Sequence, residues 1–206
     1  GQCVGCLTCL RLCPYRAISL NSKIVVDLQA CQGCGICAAE CPRFAIQISA
    51  PAGESVSDRI PHQKNEVRAG SFKPSITAFC CSRSAKEAGD SASCMGYTLP
   101  QGLQTVDVPC AGSISTAHLF SAFSRGADGV LVLTCHKGNC HSEYGNTCAH
   151  HRVEQVAGLL PGLGFETERL AFKTLAANMA AGFAEAVNAF EKTLAELGPS
   201  RLKSQG

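Results

Sequence analysis

Eight cysteines stand within the first 41 residues, and their spacing is that of iron–sulfur ligands. Cys3, Cys6, Cys9 and Cys13 precede Pro14, and Cys31, Cys34, Cys37 and Cys41 precede Pro42, so each quartet reads C-x2-C-x2-C-x3-C-P. A loop with a thiol every three residues turns three sulfurs towards one 4Fe–4S cubane. The fourth sulfur is out of reach of that cubane and serves the other. The expected sets are Cys3, Cys6, Cys9 and Cys41 for one cluster, and Cys31, Cys34, Cys37 and Cys13 for the second. Gly5, Gly33 and Gly35 let the loop backbone close around a cluster and aim N–H groups at its sulfurs. Zinc is the competing chemistry, but zinc sites pair two C-x2-C units across a longer spacer. With all eight ligands present no iron keeps an open position, so the expected work is one-electron relay rather than substrate chemistry.

A second group of cysteines is sparser. Cys81, Cys110 and Cys135 each end an apolar run that reads as a strand. In open parallel sheets ligands gather outside the carboxyl ends of the strands, so neighbouring strands would bring three thiols together. Cys140 lies five residues past Cys135, in a Gly-containing loop able to fold back. These four residues are the candidate ligands of a 2Fe–2S cluster, against the alternative that they are small buried apolar side chains. Cys80 adjoins Cys81, but strand alternation sends the two to opposite faces. Cys94 and Cys148 lack a strand-end position and are read as structural. His136 and His141 each follow a cysteine, which raises mixed His/Cys ligation, but nothing in the spacing requires it. His150 and His151 are read as helix-surface residues, and His118 as lying at a helix–sheet interface.

The elements that must position these residues fall into two parts. Residues 1–50 carry an internal repeat: the first quartet recurs at an offset of 28, and Ala17-Ile18 recurs as Ala45-Ile46. Residues 51–74, punctuated by Pro51, Gly53, Pro61, Gly70 and Pro74, read as a linker or draped segment. Residues 75–198 alternate strand and helix, and a tail of 199–206 follows. Strands are expected at Ser75–Cys81, Val106–Cys110, Gly129–Cys135 and Arg169–Leu175. One helix is expected at Ser115–Ser124, with Ser115 as its cap. Val153, Val156 and Leu160 mark another. A last helix is read from Leu175 through Met179, Phe183 and Val187 to Leu197, stopped by Gly198-Pro199. The fold class is thus α/β plus small α+β: a two-cluster 4Fe–4S segment followed by an open parallel sheet with helices on both faces.

Composition bounds the function. The chain has 206 residues, 46 % hydrophobic, and a net charge of +2 without a basic stripe, so no nucleic-acid partner is expected. No apolar run reaches the length of a membrane helix, and no signal peptide is visible. Fifteen cysteines, an odd number split into quartets and a sparser set, favour metal ligation in a reducing cytoplasm over disulfides. The chain enters a metal motif two residues after Gly1 and is read as a piece of something longer.

Residues 75–198 resemble the delta-subunit family of methyl-viologen-reducing hydrogenases. The resemblance rests on Ala78-Phe79-Cys80-Cys81, on Val108-Pro109-Cys110-Ala111-Gly112, on Phe123 through Val130, on Cys135-His136-Lys137-Gly138-Asn139-Cys140-His141, on Gly145-Asn146 and on Leu197-Gly198-Pro199. Residues 1–50 resemble the ferredoxin insert of the A-type flavoprotein of heterodisulfide reductase. The fusion resembles the end of A–delta fusions of that flavoprotein, and of the B-type flavoprotein of the quinone-interacting membrane-bound oxidoreductase. This resemblance implies a 2Fe–2S module that passes electrons between a hydrogenase or similar donor and a flavoprotein, with FAD in the region upstream of Gly1. One departure stands out. The family shows Phe-x-Cys-x-x-Cys in its first motif; here Cys81 takes the first position and Ser84 the second, and serine is a poor iron ligand. The expected function is an iron–sulfur electron-transfer part of a cytoplasmic multi-subunit redox complex. It would relay electrons between a flavin and a partner subunit, with no direct membrane insertion. The alternative is that the α/β part is a cluster-free docking scaffold and only the ferredoxin part conducts. No G-x-G-x-x-G after a strand, P-loop or nucleophile elbow encodes a catalytic site of its own.

Overall fold

The computed structural model describes residues 2–48, 54–63 and 72–200. The first segment contains α1 (Thr8–Arg11), β1 (Ile18–Asn21), β2 (Lys23–Val26) and α2 (Ile36–Ala39), with β1 and β2 forming an antiparallel hairpin. The 28-residue repeat extends to backbone conformation. Leu7 and Gly35 both enter their helices in the left-handed region, at φ 60° and 79°, and Arg16 and Phe44 match at 51° and 52°. The Ala17 N–H donates to Cys13 Sγ at 3.4 Å and the Ala45 N–H to Cys41 Sγ at 3.3 Å. Each half thus closes the same loop and points a backbone donor at its fourth cysteine.

Part of the segment read as a linker is draped over the α/β part. Ser55 and Asp58 form a capping box that starts α3 (Val56–Arg59). Val56 and Ile60 are buried, and Arg59 donates to the Asp107 carbonyl at 2.7 Å. The sheet-bearing part follows as β3 (Ile76–Cys81), α4 (Ala85–Cys94), β4 (Leu103–Val108), α5 (Thr116–Ser124), β5 (Gly129–Thr134), α6 (Gly145–Leu159), β6 (Leu170–Thr174) and α7 (Ala180–Leu197). Its four strands are all parallel, in the order β4-β3-β5-β6. Every residue of β3 and β5 is buried, as central parallel strands covered on both sides require. Phe79, Cys81, Val130 and Val132 face a core shared with α3, α5 and α6. Ala78, Cys80, Leu131 and Leu133 face a second core against α4 and α7. Cys80 and Cys81 therefore point to opposite faces, as the alternation predicts.

Several expected boundaries shift, and for two of them a local reason is visible. The second strand runs Leu103–Val108, so Cys110 lies two residues beyond it. Pro109 has no N–H to continue the ladder. The third strand stops at Thr134, and Cys135 is the first residue past it. The last helix starts at Ala180 rather than Leu175. The Leu175 N–H donates to Thr134 O at 2.7 Å, which extends the strand pairing while the Leu175 side chain still joins the core.

His118 has a different role from the expected interface. It occupies the third position of α5, where its N–H donates to Ser115 Oγ (3.2 Å) and its Nδ1 accepts from the Ser115 N–H (3.1 Å). Burial lowers its pKa from 6.5 to about 4. The folded state therefore holds His118 neutral, and the unfolded chain takes up its proton first as pH falls. Stability is lost from about pH 6.5 downwards, by about 1.4 kcal/mol at one unit below that value. Denaturant unfolding at pH 7.5 and pH 5.5 should show this loss in the wild type and not in His118→Gln. An equal loss in both would assign the acid sensitivity to other groups.

Candidate metal centres

The four cysteines Cys13, Cys31, Cys34 and Cys37 line one small apolar recess, walled also by Ile36 and Val26. They act on one another electrostatically. Burial, then Cys34, Cys13 and Cys31, push the Cys37 thiol up to about 11. Burial, opposed by the Ile36 N–H, with Cys13 and Cys31 adding to it, raises Cys34. The other quartet is more open, with Cys3 and Cys6 exposed. Burial raises the Cys9 thiol, and Cys6 and Cys41 add to that. Cys41 thus neighbours the first loop and Cys13 the second.

Among the described residues no three His, Cys, Asp or Glu side chains are grouped as a single metal ion would need. A cubane makes a different demand, because each of its irons takes one protein thiolate. Four thiols around one apolar recess, with backbone N–H groups aimed at sulfur, form a donor set that fits such a group.

The second cysteine group converges at the carboxyl end of the sheet. The chain passes from β3 to β4 on one side and then crosses to β5 on the other, so β3 and β5 flank the switch point where doubly wound sheets place ligands. Cys81 ends β3, Cys135 follows β5, and Cys110 follows β4. The loop after Cys135 turns back through Gly138, at φ 86°, and brings Cys140 to the others. The sulfurs act on one another electrostatically in the order Cys81, Cys135, Cys140, Cys110. Cys135 holds Cys81 down to about 6, and Cys110 and then Cys135 hold Cys140 down more strongly. Cys110 and Cys135 are raised in return, because each donates its proton to a neighbouring sulfur. Backbone N–H groups of Arg83 and Ala111 also face Cys81, and those of Asn146 and Ser142 face Cys140. Four cysteine sulfurs and a ring of N–H donors in one corner make a second donor set suited to a cluster. Gly145 permits this crowding: a Cβ there would stand 2.4 Å from Cys110 Sγ.

Of the remaining candidates, Cys94 is exposed at the end of α4, and Cys80 is buried on the far face. His136 turns away to Thr174, with Nδ1 and Oγ1 2.9 Å apart. His141, His150 and His151 are exposed. Ser84 is 2 % exposed.

Sequence reasoning missed the residues that join the two sites. The Tyr15 hydroxyl lies 3.1 Å from Ser142 Oγ and 3.2 Å from His141 O; burial raises its pKa, and Cys34 on one side and Cys110 and Cys140 on the other add to that. Tyr144 donates to the Leu12 carbonyl at 2.6 Å. Arg152, 4 % exposed, donates to Glu40 Oε1 from Nε (3.0 Å) and Nη2 (2.6 Å), and from Nη1 to the carbonyls of Gly112 and Ile114. Ile36 is fully buried against Gly112, where a Cβ would come within 2.5 Å of it. Cys148, read as structural, lies beside this junction and is influenced by both Cys140 and Cys34. No spacing rule in the sequence marks these pairs. The one available signal was the cluster of aromatic and glycine residues around Cys140.

The 4Fe–4S dicluster domain model matches residues 2–45, and the model of the methyl-viologen-reducing hydrogenase, delta subunit, matches residues 76–198. The D-type iron–sulfur subunit of the F420-non-reducing hydrogenase of Archaeoglobus profundus is 33 % identical over 132 residues, 64 % of this chain and 96 % of that protein. The D-type iron–sulfur subunit of the vhu F420-non-reducing hydrogenase of Methanocaldococcus jannaschii is 36 % identical over 132 residues, covering 64 % of this chain and 98 % of the relative. The A-type subunit of the ferredoxin:CoB-CoM heterodisulfide reductase of Methanosarcina mazei is 30 % identical over 207 residues, 99 % of this chain but 26 % of that longer protein. Residues 2–45 are a ferredoxin domain of the 4Fe–4S-binding kind, and by its larger part the chain belongs to the methyl-viologen-reducing hydrogenase delta-subunit family.

Proposed function

We propose that this chain is the iron–sulfur relay of a hydrogenase or heterodisulfide reductase type of complex, passing single electrons between a flavin and a partner subunit. Cys3, Cys6, Cys9 and Cys41 hold one 4Fe–4S cluster, and Cys13, Cys31, Cys34 and Cys37 hold a second. Cys81, Cys110, Cys135 and Cys140 hold a 2Fe–2S cluster. When bound, these groups supply one-electron carriers. The observation that carries the reading is the grouping of sulfurs into three neighbourhoods, the second and third of which meet at Tyr15.

The protein's own part is to fix the order of the relay. The first quartet, with exposed Cys3 and Cys6, is the outer end and suits exchange with a partner. The second quartet is enclosed and adjoins the four-cysteine corner. Tyr15, Tyr144 and the Arg152–Glu40 pair hold that junction as one packed unit, so no docking step intervenes between the two centres. The fifteen unpaired thiols suit a reducing compartment such as the cytoplasm. Among the described residues no helix is long and apolar enough to cross a membrane. Residues 1–50 and 75–198 act as the two functional parts, joined by the linker 51–74.

Iron and acid-labile sulfide in anaerobically purified chain test the reading. About ten irons are expected from two cubanes and one binuclear cluster, falling to about eight in Cys135→Ala. A wild-type content of eight would make the α/β part a cluster-free scaffold. Two or fewer would defeat the relay altogether.

A further inference from the structure

Ser84 is buried beside the four-cysteine corner with nothing conventional to do. It is the residue preceding α4, where a serine ordinarily accepts a hydrogen bond from the first turn of the helix. Here it makes no such bond. Its hydroxyl oxygen is enclosed, and it has no hydrogen bond of ordinary geometry. Its backbone is held firmly. The Ser84 N–H donates to the Cys81 carbonyl at 3.2 Å, and the Ser84 carbonyl accepts from the Ala88 N–H at 3.0 Å. This tight turn carries the side chain back towards Cys81. The buried, unpartnered hydroxyl is therefore placed next to the Cys81 sulfur, three residues along one closed turn.

Resting on the reading of Cys81 as a cluster ligand, we propose that Ser84 donates its hydroxyl hydrogen to the Cys81 sulfur and so raises the reduction potential of the third centre. The reason is electrostatic. Reduction adds negative charge that spreads onto the ligand sulfurs, and a fixed donor stabilises the reduced state more than the oxidised one. At 2 % exposure no bulk water stands ready to replace the hydroxyl. Ser84 is thus a positioning residue acting through Cys81, and it turns the departure from the family's second cysteine into a means of tuning the centre.

The test uses the full chain, purified anaerobically, as wild type, Ser84→Ala, Ser84→Val and Ser84→Thr. Valine keeps the shape of threonine without the hydroxyl, so the pair separates packing from hydrogen bonding. Electron paramagnetic resonance at stepped potentials reads the binuclear signal apart from the cubanes. Alanine and valine should shift its potential negative by roughly tenfold in the one-electron equilibrium, about 59 mV, with iron content unchanged. Threonine should restore it. An unmoved potential with the signal present overturns the role of Ser84 and leaves the centre standing. Loss of two irons in alanine and valine but not in threonine makes Ser84 an oxygen ligand and overturns the donor role. A wild type with no binuclear signal overturns both the centre and the proposal.

Discussion

Iron stripped from the intact chain by a chelator is expected to unfold residues 2–48 while the four-stranded sheet stays protected. Among the described residues of that segment only Ala17, Ile18 and Ile36 are buried apolar side chains. Ile36 owes part of its burial to Gly112 of the α/β part. Val4, Leu20, Val25, Leu28 and Phe44 are exposed. A hairpin of two four-residue strands has no independent stability in water, and segments of this size need metal or disulfide support. The cysteines are all unpaired, so support must come through sulfur ligation. Residues 76–197 differ, with two apolar cores on opposite faces of one sheet. Hydrogen exchange read by mass spectrometry, before and after chelation, checks this. Protection should vanish from residues 2–48 and from the loop after Cys135, which Tyr15 and Tyr144 tie to the ferredoxin part. It should persist in β3 and β5. Native protection of residues 2–48 without iron would show that the fold stands without its clusters.

Arg152→Ala is expected to be the most damaging single change outside the cysteines. It leaves Glu40 without its partner and two carbonyls, of Gly112 and Ile114, without donors at the junction. Breaking a buried ion pair by removing one member costs about 3–5 kcal/mol. Glu40 is partly exposed at 32 %, so the lower end of that range applies. The effect reaches function because the Gly112 turn also packs Ile36, next to Cys37. Denaturant unfolding should show the loss. After photoreduction, electron arrival at the third centre should slow, because the two parts separate. Glu40→Gln should cost less than Arg152→Ala, since the two carbonyls keep their donor. A change below about 1 kcal/mol with unaltered transfer would mean that the junction is held elsewhere.

The cysteine quartets and the α/β alternation were legible in the sequence because each depends on local spacing. A thiol every third residue forces a loop that closes on itself, and Gly129 through Thr134 is apolar almost throughout because its strand is buried on both faces. The 28-residue offset likewise carries its own conformation, down to paired left-handed residues. The strand ends were less legible: Pro109 and Leu175 act through ladder hydrogen bonds that a hydrophobic run does not record. The convergence of Cys81, Cys110, Cys135 and Cys140 was decided by tertiary structure. It depends on β4 lying outside β3 while β5 crosses to the other side, an order set by packing on both faces at once. The junction of Tyr15, Tyr144, Glu40 and Arg152 is more remote still, since its partners lie more than 100 residues apart in the chain. Such pairs leave no period or motif in the sequence, and they exist because the ferredoxin loops and the carboxyl end of the sheet are packed against each other.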